Sequence, residues 1–90
     1  MESVLNKDKV LFETLLFRLI FLVNLRIRNG EYTERGLARI LGVSQPHIHN
    51  VLKEKRLLSI ETSDRILRRL RMDLLDLVRP EDLAEWQRRR

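Results

Sequence analysis

The chain has 90 residues, no cysteine, 43% hydrophobic and 34% charged residues, and a formal net charge of +5. That length fills one core and not two, and the balance of apolar to charged residues fits a folded soluble domain and excludes disordered, collagen-like and linker classes. The lack of cysteine excludes a disulfide framework, a thiolate metal site and a thiol nucleophile and agrees with a cytoplasmic location, while the positive surplus points to an anionic partner, nucleic acid first.

The charge is spread along the chain. Residues 1–43 hold seven Lys/Arg against five Asp/Glu, and residues 44–90 hold eleven against eight. The one basic run, Arg88 to Arg90, is too short for a nucleic-acid arm, so any electrostatic footprint must come from how the fold gathers its basic residues. The N-terminus does not read as a signal peptide, because Glu2 and Asp8 stand where a basic segment would be. The apolar stretch Val10 to Leu25 is 16 residues long and carries Glu13, Arg18 and Asn24. A membrane span needs about 20 apolar residues with few charges, so no membrane partner is expected.

The pattern along the chain is helical throughout, and predicts an all-α domain of five to six helices over residues 1–90. A long apolar helix runs from about Val4 to Arg28, within a first segment 1–30, and stops at Asn29-Gly30. It carries two apolar stripes. Phe12, Leu15, Leu16, Leu19, Leu22 and Val23 are enough to pack a core. Val10, Thr14, Phe17, Phe21, Asn24 and Arg28 follow a heptad spacing, and exposing Phe17 and Phe21 would leave an interface-like patch. This second stripe predicts a homodimer, with Trp86 of the last helix packing on it from the partner or, as the rival arrangement, Leu83 and Trp86 covering it within one chain.

The second helix follows the N-cap residue Thr33 and uses Leu37, Ala38, Ile40 and Leu41. Gly36 costs it about 1 kcal/mol relative to alanine and offers room for a close helix approach. Gly42 supplies the left-handed exit. The third helix follows Ser44, takes Pro46 in its first turn, and turns Ile48, Val51 and Leu52 inward. Supporting helices fill 59–78. One follows Ser59 with Ile60, Ile66, Leu67 and Leu70, and the next follows Asp73 with Leu74, Leu75, Leu77 and Val78. Pro80 opens a C-terminal helix over 80–90, with Glu81 and Asp82 in its first turn and arginines at its end, as the helix dipole favours.

The pattern that carries chemistry is residues 33–53: a short helix, a Gly-Val turn and a second short helix. Ala38 is small where two helices would cross, Val43 plugs the turn, and Ile48 and Val51 hold the second helix down. That leaves Gln45, His49, Asn50 and Lys53 on one free polar face, with His47 at its margin, a face of the size that enters a DNA major groove. Leu37-Ala38, Leu41-Gly42-Val43-Ser44-Gln45, Ile48 and Val51-Leu52 together resemble the helix-turn-helix of the phage-repressor/Cro-like family. Residues 59–78 resemble that family's last two helices.

The resemblance implies that residues 45–53 are a recognition helix. Gln45 would read a base, since glutamine makes a bidentate contact to adenine, Asn50 and His49 would face base edges, and Pro46 would touch a thymine methyl. Thr33, His47, Lys53, Lys55 and Arg56 would lie at phosphates. Two positions depart from the family's pattern: Glu34 stands where glutamine is usual, and Glu54 where glycine is common after the recognition helix.

Other functions are not written in the chain. His47 and His49, two residues apart, point about 200° apart on a helix, and nothing completes a metal site. Arg65, Arg68, Arg69 and Arg71 read as a solvated face paired with Glu61 and Asp64. There is no GxxxxGK[ST], GxSxG or HExxH, so neither an enzyme nor a cofactor is expected. The sequence thus predicts a small dimeric transcriptional regulator that binds double-stranded DNA and represses by occupancy. The alternative is a protein-interaction module, antitoxin-like or adaptor, that grips another protein with its apolar first helix.

Overall fold

The computed structural model describes residues 10–89. The element order is α1 (Phe12–Arg28), α2 (Glu34–Leu41), α3 (Gln45–Leu52), α4 (Ile60–Arg69), a 3-10 turn (Leu74–Leu77) and α5 (Pro80–Arg88). The described residues hold five α-helices and no strand, so the fold is all-α. Among them no helix is long and apolar enough to cross a membrane. The expected start of the first helix at Val4 lies outside the described residues, and within them the helix begins only at Phe12, because Leu11 before it is extended.

The helices begin where short polar side chains are placed to take up free N–H groups. Thr33 Oγ1 accepts from the Gly36 N–H (2.9 Å), Ser44 Oγ from the His47 N–H (3.2 Å) and Ser59 Oγ from the Thr62 N–H (3.1 Å). Each removes one unsatisfied donor from a first turn and contributes about 1 kcal/mol. Asp73 opens the 3-10 turn by accepting from the Leu75 N–H (2.9 Å). A Cβ at Gly36 would stand 3.0 Å from Thr33 Oγ1, so that glycine makes room for the cap hydroxyl and not, as expected, for another helix.

α1 to α4 end in one hydrogen-bonded motif. After α1, the Gly30 N–H donates to the Ile27 carbonyl (3.0 Å) and the Glu31 N–H to the Arg26 carbonyl (2.9 Å). Gly42 and Val43 repeat this on Arg39 (3.3 Å) and Ala38 (3.0 Å). So do Glu54 and Lys55 on Val51 and Asn50, and Arg71 and Met72 on Arg68 and Leu67. The motif needs a left-handed residue at its bend. Gly30 (φ 82°) and Gly42 (φ 71°) supply it without steric cost, whereas Glu54 (φ 61°) and Arg71 (φ 58°) adopt it with a Cβ.

The core joins Leu19, Ile20 and Val23 of α1 to Leu37, Ala38 and Leu41 of α2, Ile48, Val51 and Leu52 of α3, and Ile66 and Leu67 of α4. Leu58, Leu70 and Leu77 close it from the connections. Several expected core positions are corrected. Phe12 is 75% exposed although it continues the Leu16-Leu19-Val23 stripe, lying at the open rim of a hollow it shares with Ile60, Leu74 and Leu77. Ile20, absent from the expected stripe, is buried. Ile60 is 71% exposed, being the first residue of α4, and the buried anchor of that corner is Leu58, just before the helix. Leu74 and Leu75 face outward, because a single tight turn can bury only Leu77. Ile40 is exposed beside the buried Leu41.

The expected dimer stripe is also broken up within the chain. Thr14 is buried, with its Oγ1 accepting from the Leu11 N–H (3.3 Å). Asn24 donates from Nδ2 to the Leu52 carbonyl (3.3 Å), tying α1 to the end of α3. Phe17 is half-buried, while Val10, Phe21 and Trp86 remain exposed. α5 does not lie over Phe17 and Phe21. It docks at the N-terminal end of α1, where Val10 and Leu11 share a surface hollow with Val78, Leu83 and Trp86.

Candidate nucleic-acid interface

Residues 42–44 join α2 to α3, and the two helices pack on each other more extensively than any other pair. α3 is amphipathic by necessity: Ile48, Val51 and Leu52 are buried, so Gln45, Pro46 and His49 must point outward, with Asn50 half-buried at the edge. These four expected base-contact residues line one shallow depression, and Glu34 from the first turn of α2 completes it. The structure therefore brings Gln45, Pro46, His49 and Asn50 together on a single face.

Glu34 was expected only as a departure from the family's usual glutamine. Its Oε1 lies 3.1 Å from His49 Nδ1, so the carboxylate is engaged across the two helices and sits inside the depression. Sequence spacing carried no signal for this, because the two residues are 15 apart and meet only when α2 and α3 cross. The depression thus offers an acid, two side-chain amides and an imidazole. Amide groups can donate and accept at one base edge, and a carboxylate can accept from an exocyclic amine.

The expected phosphate-contact residues fall on two sides. Thr33 is exposed at the start of α2, next to Glu34, and its Oγ1 already accepts the cap hydrogen bond, leaving its O–H free to donate. Lys53, Lys55 and Arg56 are exposed at and beyond the end of α3. His47 is half-buried. The bend at Glu54 turns the chain back, so that Lys55 is held by its N–H to the Asn50 carbonyl (2.8 Å).

Arg65 is placed differently from the expectation. Its guanidinium donates to the Leu41 carbonyl (3.0 Å), at the C-terminal end of α2. A cation there meets the negative end of the helix dipole and fixes α4 against the helix-turn-helix. Among the described residues no group of three or more His, Cys, Asp or Glu side chains could hold a metal ion.

α5 is held to the bundle by a charged pair remote from the depression. Arg18 donates to Asp82 through Nη1 and Nη2 (2.6 and 3.1 Å), and Nη1 also donates to the Leu77 carbonyl (2.7 Å). The Arg18 hydrogen bonds hold the Asp82 carboxyl below the usual carboxylate range, with the Arg79 N–H adding to this and burial opposing it. The same pairing raises Arg18 above its ordinary value.

Comparison of the chain with protein families, with curated proteins and with solved structures finds no match.

Proposed function

We propose that the chain is a sequence-specific double-stranded DNA-binding regulator of the cytoplasm that acts by occupying its site. The observation that carries the reading is the gathering of Gln45, Pro46, His49 and Asn50 on the one outward face of α3, whose opposite face is sealed into the core. In this reading α3 enters the major groove. Gln45 and Asn50 pair with base edges, His49 is oriented by Glu34, and Pro46 meets a thymine methyl. Thr33 on one side and Lys53, Lys55 and Arg56 on the other hold the phosphates, while His47 lies at the margin. Occupancy of the groove excludes polymerase without any further part, so repression by exclusion is the simplest outcome.

Selection of bound duplexes from a random pool, followed by titration of the enriched sequence, tests this. Gln45→Ala is expected to cost about 1–3 kcal/mol and to relax preference at one base position. Lys55→Ala is expected to weaken all sequences alike and to lower the salt slope by about 1. A chain with no duplex affinity at low salt would sink the reading and leave the protein-interaction module as the alternative.

A further inference from the structure

One side of the bundle is apolar and uncovered. Phe12, Leu16 and Leu19 of α1, Ile60 and Leu67 of α4, and Leu74 of the 3-10 turn line a groove of about 270 Å³. Leu16 also lines the neighbouring hollow with Phe17, Ile20 and Leu57, so the two form one continuous face. Phe21 stands one helical turn beyond Phe17. Leu57 projects from this face and is the most exposed of the large apolar side chains, at 89%.

We propose that this face is a self-association surface: a second copy of the chain seats on it about a two-fold axis, with Leu57 of each copy entering the Phe12–Ile60–Leu74 groove of the other. Three observations commit it to that occupant. The first is area. Phe12, Phe21, Leu57, Ile60 and Leu74 are between 49% and 89% exposed. Together with the partly covered residues between them they present on the order of 600 Å² of apolar surface, at the upper limit for a monomer's largest patch and most of what one partner gives a standard interface.

The second is shape. A two-fold interface must be complementary to itself, and here a projecting leucine and a groove that accepts one lie side by side on the same face. The third is charge. The ionisable groups bordering the face are Glu13, Glu54, Asp64 and Arg56. With both signs present, a two-fold sets Arg56 of one copy against carboxylates of the other, which offsets the repulsion between two chains of net charge +5. The face shares no residue with the depression on α3 and touches the phosphate-contact set only at Arg56. Pairing therefore leaves the α3 depression of each copy open and draws on the phosphate-contact set only at Arg56. The inference rests on the surface alone and holds whether or not the chain reads DNA.

Sedimentation equilibrium of the full chain over a concentration series, without DNA, reads the association. Wild type is expected to reach twice the chain mass. Leu57→Asp and Phe12→Asp are each expected to raise the dimer dissociation constant at least roughly tenfold. Far-UV circular dichroism should stay unchanged in both, because these side chains lie outside the core. In a mixture of labelled and unlabelled copies, isotope-filtered contacts are expected between Leu57 methyls and the Phe12 ring. A wild type that stays monomeric, a dimer indifferent to either substitution, or intermolecular contacts confined to α5 would overturn the proposal. So would capture of a different protein on this face by a monomeric wild type.

Discussion

Glu54 and Arg71 carry the conformational cost of two helix ends. Each sits in the left-handed region with a Cβ, at φ 61° and 58°, where glycine serves at the ends of α1 and α2. The hydrogen bonds they complete hold Lys55 beside Asn50 and Met72 beside Leu67, so the surrounding chain enforces the bend. A left-handed L-residue costs about 1–2 kcal/mol, and glycine's extra freedom in the unfolded chain returns part of that. Glu54→Gly is therefore expected to stabilise the fold by up to about 1 kcal/mol, raising Tm by roughly 4–8 °C. Glu54→Ala separates the two roles of that glutamate: it removes the carboxylate between Lys53 and Lys55 but keeps the Cβ. It should leave Tm nearly unchanged while tightening duplex binding in the same titration.

Among the elements, α5 is the one held by side-chain chemistry more than by burial. It has no fully buried residue, and the Arg18–Asp82 pair ties it to α1. Both partners are largely enclosed, with side chains 16% and 14% exposed, so the pair escapes most solvent screening. Asp82 titrates lower in the folded chain than in the unfolded one. Its contribution is thus fully present above the unfolded value, about pH 3.9, and is lost as pH falls through the folded value. Acidification is expected to release α5 before the core melts, read as loss of amide-exchange protection in α5 ahead of the loss in α1 to α4. Asp82→Asn should weaken α5 docking at neutral pH by about 2 kcal/mol and abolish that acid step. α1 shows the opposite balance. Its apolar stripes are readable from spacing, but the bundle covers only one face of the helix, leaving Phe21 at mid-helix and Phe12 at its start outside.

For the whole molecule, stability follows from which residues reach the shared core. Leu41, the last residue of α2, is fully buried in the shared core, and its neighbour Ile40 is 41% exposed. Leu41→Ala is expected to cost about 2–5 kcal/mol, a large share of what a domain of this size has, whereas Ile40→Ala should cost roughly 1 kcal/mol. Thermal melts of the two variants check this. Similar costs at the two positions would mean that α2 packs in a different rotation. That rotation matters for function too, since it is what sets Glu34 against His49 and exposes Gln45.

The sequence by itself determined the local events. Thr33, Ser44 and Ser59 cap the helices they precede, Gly30 and Gly42 end the helices they follow, and the apolar spacing of α3 leaves Gln45 and His49 outward. These are legible because cap, bend and periodicity depend on residues within one or two turns of each other. The sequence did not determine which apolar residues the core would have room for. Phe12 and Ile60 fit an inward pattern and lie outside, while Thr14, Asn24 and Arg65 are polar and are taken inside or used as ties. Only the tertiary structure decided those, because burial depends on which other elements come to lie against each position. It also placed Glu34 on His49, Arg18 on Asp82 and Leu57 beside the uncovered groove. Such contacts join residues far apart in the chain, and their geometry exists only once the helices cross.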